Sequence, residues 1–145
     1  MPRFFTKAAM PAVLLVLTAA QCVCATKVED ADMIIAVNGT TFAAILEDSP
    51  AAKAFANLLP LTLKMEDLHG NEKYHNMETP LPSRPEAVGH VRAGDIMLFG
   101  DNCVVIFYKS FATAYTYTRI GRVDDAAGLE GACGEGRVTV MFSRP

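Results

Sequence analysis

Tyr115, Tyr117 and Arg119 are spaced by two, which puts them on one face of an extended strand, with Thr116, Thr118 and Ile120 on the other. An arginine flanked by tyrosines can grip an amide carbonyl, a carboxylate or a proline ring, through charge-assisted hydrogen bonds and ring stacking. Phe99 and Asn102 at the neighbouring turn, with Phe107 on the next strand, would complete an apolar pocket beside it. The competing account is structural. Aromatic alternation fills barrels, and an arginine on such a strand pairs with a carboxylate such as Asp95.

Other reactive side chains form no familiar constellation. His69, His75 and His90 are the three histidines and fall on separate turns or strands, whereas a metal centre needs three or four convergent donors. They read as solvated loop residues, and neither a metal nor a cofactor is expected. Ser110 and Cys103 have no base nearby in the chain, and no Gly-x-Ser-x-Gly turn occurs. The glycines from Gly131 to Gly136 are not followed by Gly-Lys-Ser or Gly-Lys-Thr, so they end a helix and turn the chain rather than cradle phosphate. Glu47-Asp48, Glu66-Asp67 and Asp124-Asp125 lie at predicted element ends, where solvated or capping carboxylates belong.

The elements that must position these residues are mostly strands. Met33–Val37 and Thr40–Leu46 flank Asn38-Gly39, a hairpin signal because both turn residues tolerate positive φ. Asn38-Gly39-Thr40 also spells a glycosylation sequon, but turn geometry accounts for it fully. Ser49 caps a helix with Pro50 at its first position; Ala51, Ala54, Phe55, Leu58 and Leu59 recur at helical spacing up to Pro60. Leu61, Leu63 and Met65 alternate with polar residues as a half-buried strand; His69-Gly70-Asn71 turns it, and Lys73–Met77 returns. Thr79–Pro85 carries three prolines in seven residues and reads as an extended surface loop. Ile96–Phe99, Cys103–Tyr108 and Tyr115–Ile120 form a block of strands, followed by a basic glycine turn. Asp124–Cys133 holds one short helix, and Val138–Phe142 closes the chain. About eight strands and two short helices favour a closed barrel or sandwich over a parallel sheet.

Residues 1–25 follow a different pattern. Arg3 and Lys7 precede an uncharged span from Ala8 to Ala25 with an apolar centre at Val13–Leu17, the order of a secretory signal. Cleavage is expected after Ala25, or after Ala20, and the protein is expected in the periplasm or outside the cell; an uncleaved membrane anchor is the alternative. Neither Cys22 nor Cys24 follows a lipoprotein box. The whole chain carries a net charge of −3, and loss of Arg3 and Lys7 makes the remainder more acidic. That argues against a nucleic-acid partner, which requires a basic stripe. The mature form is expected to need no membrane. Cys103 and Cys133 would be the remaining cysteines and could bridge in an oxidising compartment; the alternative is that Cys103 opens a buried strand as a small apolar residue with an inert thiol.

The order of segments resembles a known family. A hairpin, a Ser-Pro-led helix ending in Leu-Leu-Pro-Leu, an Asn-Glu-Lys-Tyr strand, Gly-Asp-Ile-Met-Leu-Phe-Gly, an apolar strand and Thr-Arg-Ile-Gly-Arg are similar to the small bacterial cyclophilin-like domains, over residues 33–142. The resemblance implies a closed eight-stranded β-barrel capped by helices. It carries over no catalytic residue. Cyclophilins isomerise Xaa-Pro bonds with an arginine in a Phe-His-Arg signature that this chain lacks; His90-Val91-Arg92 is the nearest approach, and the chain has no tryptophan. The expectation is a binding module for a small molecule or a short, proline-containing peptide. The alternatives are a prolyl isomerase with a rearranged site, in which Arg119 would face the prolyl nitrogen, and a non-catalytic interaction domain using Thr79–Pro85.

Overall fold

The computed structural model describes residues 30–145. The expected signal segment, its two cleavage positions, Cys22 and Cys24 lie outside these residues. The described chain runs β1 (Met33–Val37), β2 (Thr40–Leu46), α1 (Pro50–Ala56), β3 (Leu61–Leu68), β4 (Glu72–Asn76), β5 (Glu86–Ala87) and β6 (His90–Val91). It continues through β7 (Asp95–Phe99), β8 (Cys103–Phe107), β9 (Phe111–Ala112), β10 (Thr116–Val123), α2 (Leu129–Cys133) and β11 (Val138–Ser143).

Eight strands pair antiparallel in the order β2-β1-β11-β3-β4-β8-β7-β10, and β10 pairs back onto β2, closing a barrel. Closure leaves these strands no free edge, and period-two alternation divides their side chains between inside and outside. Met33, Ile35 and Val37 of β1, Val104 and Ile106 of β8, and Val138, Val140 and Phe142 of β11 fill the interior. The helices serve opposite ends. Ser49 Oγ accepts the Ala52 amide and starts α1, which sets Phe55 edge-on to Phe142 at 5.2 Å. Arg144 ties down the Ala56 carbonyl there. At the other end, Asn38 takes the left-handed conformation that the hairpin requires, and its Nδ2 donates to the Ala132 carbonyl of α2.

The outer face of the barrel carries a second, smaller core. Val91, Met97, Val105, Phe107 and Tyr117 are buried there, with Tyr74, Val88, Cys103 and Phe111 packed around them. A two-stranded ribbon of β6 and β9 covers part of this face, pairing Val91 with Phe111. These short strands, with β5, have too few residues for a periodic pattern and are absent from the sequence reading. Within β10 the register shifts between Arg119 and Gly121, so the stretch expected to be a basic glycine turn is a bulged strand that continues to Val123.

Two further points of the sequence reading can be placed in the structure. Cys103 and Cys133 are not bonded to each other. Cys133 belongs to the interior core and Cys103 to the outer one, so the barrel wall separates them. Burial pushes the Cys133 thiol up to about 11. The carboxylate beside Arg119 is Glu86, not Asp95; Asp95 accepts the Arg92 amide instead.

Candidate functional site

β3 and β4 are joined by a tight turn in which His69 and Gly70 both have positive φ. Asp67 Oδ2 accepts the Gly70 amide and holds the turn. The turn fixes the pairing of Leu68 with Glu72, and β4 then pairs with β8 so that Glu72 lies across from Phe107 and Tyr74 across from Val105. Residues directly opposite in an antiparallel pair share a face. Glu72 and Tyr74 therefore stand on the outside of the barrel with the second core.

Beside the β6–β9 ribbon this outer face is uncovered, and an open groove of about 530 Å³ runs along it. Val105, Cys103 and Tyr74 form the floor. Phe111 to Tyr115 and the Phe99 ring make one wall, and Leu68, His69 and Asn71 the other end. Phe99 packs against Tyr115 at 5.9 Å and Tyr117 at 5.7 Å between ring centroids; Tyr117 stands edge-on to Phe107 at 5.4 Å. Phe99 is 46% exposed and Tyr115 65%. With Leu68 they account for three of the five large apolar side chains that the described residues expose. The other two, Leu58 and Met141, do not line the groove.

The expected site residues divide. Phe99, Tyr115 and Tyr117 line the groove, and Phe107 supports it from beneath. Asn102 does not line it; its Nδ2 donates to the Met77 carbonyl and pins the chain just after β4. Arg119 shares the outer face with Tyr117 but lies beyond the groove, in a polar hollow with Arg92 and Arg122, where its Nε donates to Glu86 at 3.0 Å. No lysine or arginine lines the aromatic groove.

Glu72 is the residue that sequence reasoning missed. It is 8% exposed, lines the groove, and has no hydrogen bond or ion pair to a described residue. Burial raises its carboxyl above the ordinary glutamate value, with Asp67 adding repulsion and His69 a partly offsetting attraction. Its charge acts back on the groove, raising Cys103 and Tyr117 further beyond the rise that burial causes in each. Cys103 is thereby held as a thiol, a poor nucleophile. Next to Glu72, Asn71 Oδ1 is buried without a donor.

The other candidate groups stay apart. His69 borders the groove, His75 on β4 has its Nδ1 2.8 Å from the Lys64 carbonyl of β3, and His90 is on the ribbon. Among the described residues no three His, Cys, Asp or Glu side chains converge. Glu66 pairs with Arg137, Asp48 with Lys53, and Asp125 accepts the Ala127 amide. Asp67 is occupied by Tyr108 and Lys73, and the Tyr108 hydrogen bond is the main cause that holds its carboxyl below the ordinary value.

Known proteins agree with this architecture. The structure of McbB in complex with tryptophan is similar at a TM-score of 0.56 and 19% identity, over 77% of this chain and 44% of that one, a likeness of fold. This chain thus spans less than half the length of that neighbour. No curated protein sequence matches. The sequence model of the cyclophilin-like family matches residues 35–143, nearly the whole of the described barrel, and the chain belongs to that family.

Proposed function

We propose that this domain is a binding module that takes a small organic molecule into the aromatic groove on the outside of its barrel. The observation that carries this reading is the clustering of Leu68, Phe99 and Tyr115, all exposed, around a concavity of about 530 Å³ with a buried polar group in it. Small-molecule sites are apolar clefts of about 300–1,000 Å³ with few polar groups to fix orientation, and this groove has that size and composition. The tryptophan in the neighbouring structure makes an aromatic amino acid a reasonable first probe.

The arrangement gives less support to a prolyl isomerase. That reading used Arg119 to polarise the prolyl nitrogen, and Arg119 is outside the groove and engaged with Glu86. The Thr79–Pro85 loop is exposed along most of its length but is anchored by buried Leu81, whose amide donates to the Asp101 carbonyl.

Chemical-shift mapping of the labelled protein against a set of aromatic fragments tests the proposal. Binders are expected to move the amides of Tyr74, Val105 and Tyr117. The double variant Phe99→Ala, Tyr115→Ala removes two rings at the rim of the outer core, so it should stay folded with a modest drop in melting temperature and lose affinity at least tenfold. Fragments that bind elsewhere, or a double variant with unchanged affinity, would overturn the groove as the site.

A further inference from the structure

The groove holds one ionisable acid, no fixed cation, and a set of aromatic faces. Glu72 is more than nine-tenths buried and has no described partner. Its carboxylate borders the groove, and a neutral ligand sealing the groove would take away the water it still meets there without supplying a counter-charge, which is costly. Lys73, its neighbour in sequence, cannot help, because it points through the wall to the interior and is fully engaged there. The titratable groups facing Glu72 from the surrounding elements are Asp67 and His69 at the β3–β4 turn, Cys103 on β8 and Tyr117 on β10. Of these only His69 can carry positive charge.

What is missing from this environment is a compact cation with several N–H donors on an apolar body. Such a group would neutralise Glu72 and lie against the negative ring faces of Tyr74, Tyr117 and Phe99, which attract cations. An anion would meet the like charge of Glu72 there, with no lysine or arginine lining the groove to offset it. We infer that the groove selects small organic ammonium ions, with the Glu72 carboxylate as the charge partner and the tyrosine–phenylalanine cluster holding the apolar part. This inference rests on the groove being a binding site and names the class of ligand that it takes.

The test uses phenethylamine and its uncharged counterpart phenethyl alcohol on the wild-type protein and on Glu72→Gln, read by chemical-shift titration with Glu72 labelled at its carboxyl carbon. The amine is expected to bind at least tenfold more tightly than the alcohol, and its binding should bring the Glu72 titration down toward lower pH. In Glu72→Gln the two probes should bind within twofold of each other. If amine and alcohol bind the wild type equally and Glu72→Gln leaves the amine unchanged, the ammonium assignment is wrong while the groove stands as a site. If neither probe moves a groove amide at millimolar concentration, the assignment and the groove reading both fall. A blocked lysine tripeptide is the third probe; tighter binding than phenethylamine would transfer the cation to a peptide and overturn the small-molecule source.

Discussion

Glu72 and Lys73 are consecutive in β4 and stand on opposite faces of the barrel wall, Glu72 opposite Phe107 on the outside and Lys73 opposite Ile106 on the inside. Both are buried, yet their surroundings differ completely. Lys73 Nζ donates to the Gly134 carbonyl at 2.9 Å and the Gly136 carbonyl at 2.5 Å, and lies 3.0 Å from Asp67 Oδ1 with the Tyr108 ring nearby. Every proton of the ammonium group is placed. Glu72 has neither a hydrogen bond nor an ion pair to a described residue. A single dipeptide thus carries a satisfied charge that fastens the fold and an unsatisfied one that faces a groove.

Lys73 fastens the α2–β11 connection to the end of the barrel, and its removal should be costly. Lys73→Met keeps the stem volume but leaves two carbonyls and the Asp67 carboxylate without their donor. Removing one partner of a buried ion pair costs about 3–5 kcal/mol, and Asp67 retains some access to water, so the expected loss is near the lower figure. Urea denaturation of the variant beside exposed-site Lys64→Met, expected within about 0.5 kcal/mol of wild type, checks this.

Glu72 should do the opposite. Its carboxyl is raised in the folded state, so the ionised form opposes folding. For a raised group, the favourable contribution is complete below the unfolded pKa and is lost as pH rises through the folded one. Glu72→Gln is therefore expected to melt higher than wild type at pH 7, and the difference should shrink to nothing as pH falls below the ordinary glutamate value of 4.5. Asp67, held low chiefly by Tyr108, works in the reverse sense: its contribution is present above its unfolded value and lost as acid protonates it. Both proteins share that loss, so the difference in melting temperature between them isolates Glu72. A variant that melts lower than wild type at pH 7 would mean that Glu72 has a stabilising partner.

Arg119→Ala is expected to change little. The Arg119–Glu86 pair is partly exposed on both sides, and such pairs contribute about 0.2–1 kcal/mol. Melting temperature should drop by no more than a few degrees, and groove binding of phenethylamine should stay within twofold of wild type. Tenfold weaker binding would restore Arg119 to the site.

The strands were legible because the interior is apolar and the alternation is regular: β1 and β2 begin and end where Met33–Val37 and Thr40–Leu46 predict, with the Asn38-Gly39 turn between them. The aromatic half of the groove was legible for a related reason, since Tyr115 and Tyr117 sit among β-branched residues that announce a strand. Glu72 was not. A glutamate between Asn71 and Lys73 reads as part of a solvated turn, and only the pairing of β4 with β8 shows that it is covered. Arg119 lies off the groove because a shared strand face does not fix a position along it; a ribbon of two-residue strands, with no periodic signature, decides which part of the face stays open. Gly121 was misread as a turn residue because glycine within a strand has two meanings, a break in the chain or a close approach.

Close approach is the meaning here, and it yields the last prediction. β10 meets β2 at the seam that closes the barrel, pairing Gly121 with Leu46, Arg122 with Ile45 and Val123 with Ala44. A Cβ on Gly121 would stand 2.4 Å from the Ile45 carbonyl oxygen and 3.2 Å from the Leu46 Cα, both backbone atoms that no rotamer change can move. Gly121→Ala must therefore push the two strands apart, straining the bonds on either side in which the Glu47 amide donates to Ile120 and the Asp124 amide to Ala43. Overpacking of this kind costs about 1–3 kcal/mol. Hydrogen exchange should quicken at Glu47 and Asp124 beyond the global change, while the Tyr108 amide, bonded to Asn71 across the barrel, follows the global stability alone. Gly131→Ala is the matched control, because a Cβ there meets nothing within 4 Å and alanine is the better helix former in α2. Equal stability of Gly121→Ala and wild type would show that the seam yields without cost, and that closure of the barrel does not depend on this glycine.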